Sequence, residues 1–428
     1  MIPEFLSDQR FQGCLGFVAF WSIAWLASER KGKLPPLRRF AAVLIFQLGF
    51  AAIFLQVPAA RDALASVNAI VLALSEATGE ATSFLFGYVG RDTDMPFAKA
   101  PGQSAGFFIF AFQGLPLIVF VAALSAVLWH WGLLKVIIRG FALVLTRLLG
   151  TGGAVSLSAA ANVLLGQTEA PLLIRPLLRN LSRSELFAVI TCGFATVAGT
   201  VMTLYAVILS PVSPAMLGHI FVASLISVPS ALLLAEIVVP PASGDEPTRV
   251  NDEAEGFNYT STMDAFTAGA TEGGKLWANI IVAILAFIAL AALINLILAN
   301  LPHLGDEPIT LERLLGYAFA PLVWLAGVPW DQAPTAGQLM GVKTILNEVI
   351  AYAALAEASG EALDERSTFI MVYALCGFAN VGSLGIIIGG LSALEASRRP
   401  EIIELAPKAL ISGTLATLSS GAAVGLLY

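Results

Sequence analysis

The most informative segment of the sequence is residues 150–182, GTGGAVSLSAAANVLLGQTEAPLLIRPLLRNLS. Two short apolar arms flank a polar centre at residues 166–169, and Pro171 follows that centre. As a helix, each arm is about 20 Å long, which is too short to cross a hydrocarbon core of about 30 Å. Thr168 can cap a helix that has Pro171 in its first turn. The segment therefore predicts a re-entrant helical hairpin, which enters and leaves a membrane on one side.

A second segment, PTAGQLMGVKTILNEVIAYAALAEAS at residues 334–359, has the same design around a polar centre at Asn347 and Glu348. The base of the first hairpin carries several arginines, whereas the base of the second hairpin is acidic. Cytoplasmic segments of membrane proteins are enriched in Lys and Arg. We therefore expect the first hairpin to open to the cytoplasm and the second to open outward.

The composition identifies the class of protein. Of 428 residues, 57% are hydrophobic and 12% are charged, against roughly 25% charged in a soluble domain. An ordinary soluble enzyme and a disordered chain are both excluded, and a net charge of −7 argues against a nucleic-acid partner. The three cysteines have no metal-binding or disulfide spacing. The chain is predicted to be an all-α polytopic protein whose surroundings are a lipid bilayer.

We expect eight crossing helices, at about 20 residues each. They are 11–29, 39–57, 106–132, 184–209, 215–239, 276–300, 367–394 and 404–427. The basic stretch SERKGKLPPLRR at residues 28–39 follows the first of them. Placing that stretch in the cytoplasm puts most of the Lys and Arg there and both termini on the outer, periplasmic side.

An internal repeat follows the two hairpins. RSELFAVITCGFATVAGT starts at Arg183 and RSTFIMVYALCGFANVGS starts at Arg366, so that Cys192 matches Cys376. Each repeat comprises a crossing, an interfacial helix, a hairpin, a broken crossing and a final crossing. The predicted parts are N-terminal scaffold helices at 1–105, a first repeat at 106–240, a polar cytoplasmic linker at 241–275 and a second repeat at 276–428.

Hairpins that open in opposite directions make the repeats inverted. Inverted repeats with broken helices at matched positions indicate a secondary transporter, with its site where the breaks meet. The alternative is that Gly and Pro are simply frequent in membrane helices.

Carboxylates at membrane depth are functional candidates because they are costly there. Glu169 and Glu348 lie at the two hairpin centres, and the alternative roles are a structural cap or an ion pair with Lys343. Nearby amides and hydroxyls suit a neutral solute rich in hydroxyl or amide groups; they belong to Asn162, Gln167, Thr168, Asn347, Asn380 and Ser383. A freed carbonyl in the break near Thr196 and Val197 can bind a cation.

Two rival classes are an intramembrane enzyme and a channel. Intramembrane enzymes use paired aspartates, a serine with histidine, or a metal set, and none of these patterns occurs at membrane depth here. No catalytic residue and no cofactor are predicted. Two opposed hairpins that close on one site favour a carrier over a channel.

The motifs GQTEAPLLIRP at 166–176, LNEVIAY at 346–352 and CGFANVGSLGI at 376–386 resemble the concentrative nucleoside transporter family in its short bacterial form. The resemblance covers nearly the whole chain. It implies a homotrimer in the bacterial inner membrane and uptake of uridine-like nucleosides by alternating access, driven by Na⁺ or protons. Symport of another neutral polar solute is the alternative.

The resemblance also implies residue roles. For the nucleobase these are Gln167, Thr168, Glu169, Val201 and Phe378; for the ribose, Glu348, Asn380 and Ser383; for a sodium ion, Asn162, Leu165, Thr196 and Val197. The chain departs from the family at Thr196 and at Gly382, where serines are familiar. The second departure leaves the preference between purine and pyrimidine bases open.

Overall fold

The computed structural model describes residues 9–91, 109–248, 257–301 and 308–428. The predicted boundary between residues 105 and 106 and residues 249–256 of the predicted linker lie outside these ranges. The described residues are helical, with one isolated bridge between Ser359 and Leu363. The all-α fold class is therefore confirmed.

Sixteen α-helices span the described chain. They are α1 (Gln9–Leu26), α2 (Leu37–Gln56), α3 (Pro58–Phe86), α4 (Leu117–His130), α5 (Leu133–Leu149), α6 (Gly153–Asn162), α7 (Arg183–Ala195), α8 (Gly199–Ile208), α9 (Met216–Val238), α10 (Thr262–Leu298), α11 (Leu311–Leu325), α12 (Ala333–Ile345), α13 (Glu348–Ala358), α14 (Glu365–Leu375), α15 (Val381–Leu394) and α16 (Arg399–Leu427). Short 3₁₀ or π turns occur at Gly87–Val89, Phe110–Gly114, Ala170–Asn180 and Ala396–Arg398.

Seven stretches among the described residues are long and apolar enough to cross a membrane. Six of them overlap predicted crossings, and the predicted crossings at 11–29 and 367–394 appear as the shorter apolar helices Gln12–Leu26 and Val381–Leu394. The remaining stretch, Ala69–Val89 in α3, corrects the prediction, which has no crossing there. This helix has no apolar run of bilayer length because Ser, Thr and Glu interrupt its alanines and leucines.

At one end of the bundle, ion pairs connect the basic stretch at residues 28–39 to several helix ends. Glu29 accepts from Arg183 Nη2 at 2.8 Å and from Lys408 Nζ at 2.8 Å. Arg39 pairs with Glu236 near the end of α9. The loop after α1 therefore lies beside the starts of α7 and α16.

The opposite end of the bundle is joined by Arg366 and Gln332. Arg366 donates to the carbonyls of Gly327 and Gly425, the latter near the end of α16. Gln332 Nε2 donates to Asp364 Oδ2 at 3.1 Å, which ties the start of α12 to the start of α14.

The two hairpins enter from these opposite ends. At the first end, Arg398 Nη1 donates to Leu178 O at 3.1 Å and to Leu181 O at 2.7 Å, so the base of the first hairpin lies beside the start of α16. The base of the second hairpin is the pair of α12 and α14 starts just described. Helix α16 has 29 residues and is about 43 Å long, so the hairpin bases are far apart.

The arms of the hairpins differ from the prediction in detail. The first arm of the first hairpin is helical only to Asn162, and its second arm is the 3₁₀ segment Ala170–Asn180 with a kink at Ile174 (φ −114°, ψ 15°). Pro171 and Pro176 explain the second arm, because proline removes N–H donors that an α-helix needs. Both arms of the second hairpin, α12 and α13, are α-helices.

Two of the predicted crossings are broken. Residues 196–198, the first break, separate α7 from α8, and residues 376–380, the second break, separate α14 from α15. Phe378 N donates to Thr196 O at 3.2 Å. The two breaks therefore meet in the interior of the bundle.

Helix α10 begins inside the predicted polar linker. It has 37 residues, and the Ser261 side chain caps it by accepting from Asp264 N. Gly269 and Gly273 let it approach α4 closely: an added Cβ would lie 2.7 Å from Ala122 O at the first glycine and 2.7 Å from Val119 Cα at the second. Such small residues let helix backbones come together in membranes.

Candidate functional site

Glu348 opens α13 at the centre of the second hairpin, and its side chain is buried among three elements. Only 5% of the residue is exposed. Its carboxylate accepts from the Tyr205 hydroxyl of α8 at 2.7 Å and from Asn380 Nδ2 at 2.9 Å. A buried charged group is tolerated where it is hydrogen-bonded in this way.

Local capping explains how Glu348 and Asn380 are positioned. Asn347 caps α13 by accepting from Ile350 N at 3.0 Å, so Asn347 rather than Glu348 supplies the capping oxygen. Asn380 caps α15 by accepting from Ser383 N at 2.7 Å, which leaves its NH₂ group for Glu348. The structure thus brings Glu348, Asn380 and Ser383 together.

Lys343 is not the ion-pair partner of Glu348. Its ammonium donates to Ala374 O at 3.0 Å and to Thr417 Oγ1 at 3.1 Å. Neither alternative role for Glu348, cap or paired carboxylate, is therefore seen among the described residues. The carboxylate is held instead by two neutral donors, which leaves it able to accept from a further group.

The centre of the first hairpin, residues 166–169, is the first tip. Gly166 makes its turn at φ +99°. Gln167 is 6% exposed and its Oε1 has no hydrogen-bond partner. Glu169 is half-buried, and no described residue donates to it. The first tip therefore presents unpaired acceptors.

Helix α15 connects the surroundings of the two tips. Asn380 at its start bonds Glu348, while Ile387 lies beside the first tip: a Cβ on Gly193 would be 2.9 Å from Ile387 Cδ1 and 3.2 Å from Gln167 Cβ. Gly390 is similarly near Thr168. The ten steps from residue 380 to residue 390 span about 15 Å, so Glu348 and the first tip lie at separate points along α15.

The remaining predicted base contacts lie between these points or beside the breaks. Val201 of α8 is 4% exposed, between Gly199, whose N–H donates to Leu164 O, and Tyr205. Phe378 in the second break is half-buried.

The predicted cation ligands lie in the first break and in the hairpin segment just before the first tip. Asn162 is 1% exposed, and neither of its amide atoms has a partner. Thr196 Oγ1 donates to Cys192 O at 3.0 Å, which leaves its lone pairs free. No described group donates to the carbonyls of Leu165 or Val197. Gly166 packs against Ala198, so that the first tip and the first break are in contact.

These orphaned oxygens fit a sodium ion. Unwound carbonyls at helix breaks are the groups that coordinate Na⁺ in transporters. Ser224 of α9 fixes the break by accepting from Val197 N at 3.3 Å.

Three residues that the structure brings to the site are not among the predicted ligands: Tyr205, Ser224 and Lys343. Tyr205 is a phenol within an otherwise apolar helix, and its partner Glu348 is distant in sequence. The one available signal for it was a polar group in an apolar run just after a break.

The departure at Gly382 also has a structural counterpart. A Cβ at this position would lie 2.9 Å from Phe287 Cε2 of α10 and 3.3 Å from Asn380 Oδ1. The aromatic ring thus closes the space beside the glycine.

Opposed hairpins, broken helices that meet inside the bundle and unpaired oxygens at those breaks define a secondary transporter. Three family models match the chain: "Na+ dependent nucleoside transporter N-terminus" at residues 15–89, "Nucleoside recognition" at 111–212 and "Na+ dependent nucleoside transporter C-terminus" at 219–425. The chain belongs to the concentrative nucleoside transporter family.

Similar proteins extend over nearly the whole chain. An uncharacterized transporter of Bacillus subtilis, YutK, is 37% identical over 418 residues, covering 97% of this chain and 98% of the relative. The nucleoside permease NupC of Helicobacter pylori is 34% identical and covers 96% of both chains. Human solute carrier family 28 member 3 is 34% identical over 365 residues, which are 80% of this chain and 52% of the human protein.

Solved structures of the transporter CNTnw are similar to this one. In an inward-facing substrate-bound state the TM-score is 0.85 at 35% identity, covering 97% of this chain and 98% of that one. A double variant in an outward-facing state gives a TM-score of 0.87 at 33% identity, with 98% of both chains covered.

Proposed function

We propose that this protein carries nucleosides into the cell together with a cation by alternating access. The observation that carries the proposal is the Glu348 carboxylate, buried at the second hairpin and held by Tyr205 and Asn380. A ribose presents adjacent hydroxyls, and a carboxylate with an amide can accept from and donate to them. Family membership supplies the substrate class.

In this proposal the first tip binds and recognises the nucleobase. Gln167, Thr168 and Glu169 offer amide, hydroxyl and carboxylate groups, and the unpaired Gln167 Oε1 is available to a base N–H. Val201 and Phe378 supply the apolar contacts. Ser383 lies with Glu348 and Asn380 on the ribose side.

We propose Na⁺ as the coupling ion, held by Asn162, Thr196 and the carbonyls of Leu165 and Val197. The orphaned amide of Asn162 and the family description support Na⁺. One inward charge gains about 2.3 kcal/mol per 100 mV, or roughly fifty-fold accumulation. A proton is the alternative ion.

We propose a homotrimer in the bacterial inner membrane with both termini periplasmic. Family membership supports the trimer, and α10 supports it too, because its most apolar window is 6% buried. The part that holds both hairpins, which belong to the repeats at 106–240 and 276–428 on either side of the linker, would then move against a scaffold that includes the N-terminal helices. The inverted arrangement is supported by hairpin bases at opposite ends of α16.

The deciding experiment is uptake of labelled uridine into proteoliposomes, with Na⁺ and proton gradients imposed separately. Saturable uptake driven by Na⁺ supports the proposal as stated. Uptake that responds only to a pH gradient selects the proton version, and conductance without saturation contradicts a carrier.

The first variant for this assay is Glu348→Gln. We expect uptake to fall by roughly 10- to 100-fold, because hydrogen bonds to a charged group contribute about 1.5–3 kcal/mol. Glu357→Gln is the matched control, since Glu357 is exposed on the same helix α13. Wild-type uptake by a folded Glu348→Gln protein contradicts the assigned role.

A further inference from the structure

Lys343 is a buried cation that the proposed transport cycle does not use. It lies near the end of α12, and none of its surface is exposed. Among the described residues, Lys343 is the one Lys or Arg that is buried. Burying an ammonium is costly unless acceptors surround it, so its partners indicate what holds it there.

The ammonium is bound by the last turn of α14, just before the second break, and by α16. It donates to Ala374 O at 3.0 Å and to Thr417 Oγ1 at 3.1 Å. The Thr417 hydroxyl gives its own proton to Thr414 O, so it can only accept from Lys343. No backbone N–H donates to Ala374 O, because Phe378 N turns to Thr196 O instead. The ammonium therefore satisfies a carbonyl that the break has freed.

The first break is built in the same way but has no cationic side chain. The first break follows a Cys-Gly-Phe-Ala motif at 192–195, and the second break begins with the same motif at 376–379. At the first break, Ser224 of α9 accepts from Val197 N, whereas at the second break Thr417 of α16 packs beside Gly377 and accepts from Lys343. No described group donates to the Val197 carbonyl of the first break, and the Asn162 amide at the end of the hairpin arm is unpaired as well. The second break therefore has the Lys343 ammonium beside it, whereas the unpaired oxygens at the first break have no cationic side chain.

We infer that the Lys343 ammonium is a tethered cation, which occupies at the second break the position that the coupling Na⁺ takes at the first. This inference rests on the proposed function. Its consequence is a carrier that needs one free cation per nucleoside, since the second cation is covalently attached. The ammonium also supplies positive charge on the side of Glu348, where the ribose is proposed to bind.

The test compares purified Lys343→Ala and Lys343→Met with wild type. Lys31→Ala is the matched control, because it removes one positive charge from an exposed loop. Uridine binding is measured at graded Na⁺ concentrations, and melting temperature is measured with and without ethylammonium. Alanine leaves space for a small cation, whereas methionine fills that space without a charge.

We expect Lys343→Ala to bind uridine roughly 10- to 100-fold more weakly at low Na⁺. Its dependence on Na⁺ should steepen from first order toward second order, because a second Na⁺ can enter. Ethylammonium should restore uridine binding to Lys343→Ala and raise its melting temperature. It should have neither effect on the other proteins. Lys343→Met should bind weakly at every Na⁺ concentration, and Lys31→Ala should match wild type.

Three results overturn the inference. One is a folded Lys343→Ala protein with the wild-type order in Na⁺. Another is weakened binding that ethylammonium does not restore. The third is failure of both Lys343 variants to fold while Lys31→Ala folds, which makes the lysine structural only. If wild type itself binds uridine without regard to Na⁺, the proposed coupling fails, and the melting temperature with ethylammonium then decides the inference alone.

Discussion

The Asn162 amide is buried with both polar atoms unpaired, four residues before Gly166, which packs against Ala198 of the first break. An unsatisfied buried polar group costs about 1–3 kcal/mol. Such a cost is tolerated where a ligand relieves it, which is why this residue is the sharpest test of the cation site.

Replacing Asn162 by alanine should raise the half-saturating Na⁺ concentration by about tenfold or more, since about 1.4 kcal/mol corresponds to a factor of ten. Uridine affinity at saturating Na⁺ should change less. The measurement is uridine uptake as a function of Na⁺ in proteoliposomes.

Ser158→Ala is the control for this variant. Ser158 lies one turn earlier on α6, farther along the chain from the first tip, and is also buried without a partner. An equal shift in Na⁺ dependence for both variants would argue for a general effect on α6 and against direct ligation by Asn162.

At the scale of elements, the contact between the first tip and the first break depends on Gly166. Its φ is +99°, and an added Cβ would lie 2.7 Å from Ala198 Cβ. A side chain there meets both an unfavourable backbone region and a collision. The tip would have to move away from the break that it helps to form.

Gly166→Ala should therefore lower the melting temperature and weaken Na⁺-dependent uridine binding. The backbone alone contributes about 1–2 kcal/mol. Gly360→Ala measures the cost of the backbone conformation without a collision, because Gly360 has φ +79° and open space around it. Equal melting temperatures and equal uridine binding for the two variants would show that the contact with Ala198 has no importance.

The sequence predicts these elements well where a local signal exists. The hairpins are visible from polar residues between short apolar arms, and the breaks from the repeated Cys-Gly-Phe-Ala motif. Helix α3 and the early start of α10 are not predicted because neither has an apolar run of bilayer length at that point. Tyr205 is not predicted because its role depends on a contact with Glu348 across 143 positions of the chain.

At the scale of the whole molecule, Glu29 links the N-terminal helices to the starts of α7 and α16. The hydrogen bond from Arg183, opposed by partial burial and aided by Lys408, lowers the pKa of Glu29 from 4.5 to about 2. A carboxyl with a lowered pKa stabilises the folded state above its unfolded pKa. That stabilisation is lost as the pH falls from about 4.5 through about 2.

Melting temperature measured from pH 7 to pH 3 should show this linkage. Glu29→Gln should be less stable than wild type at pH 7, and the difference should shrink as the pH falls below about 4.5. The exposed Glu361 gives the control variant Glu361→Gln. Parallel curves for wild type and Glu29→Gln down to pH 3 would contradict the link.

The hydrogen bond from Phe378 N to Thr196 O joins a residue proposed to contact the base to one proposed to contact the ion. A displacement of one unwound stretch is therefore transmitted to the other. Binding of either guest alters the pocket of its companion, so that nucleoside and cation affinities depend on each other in both directions.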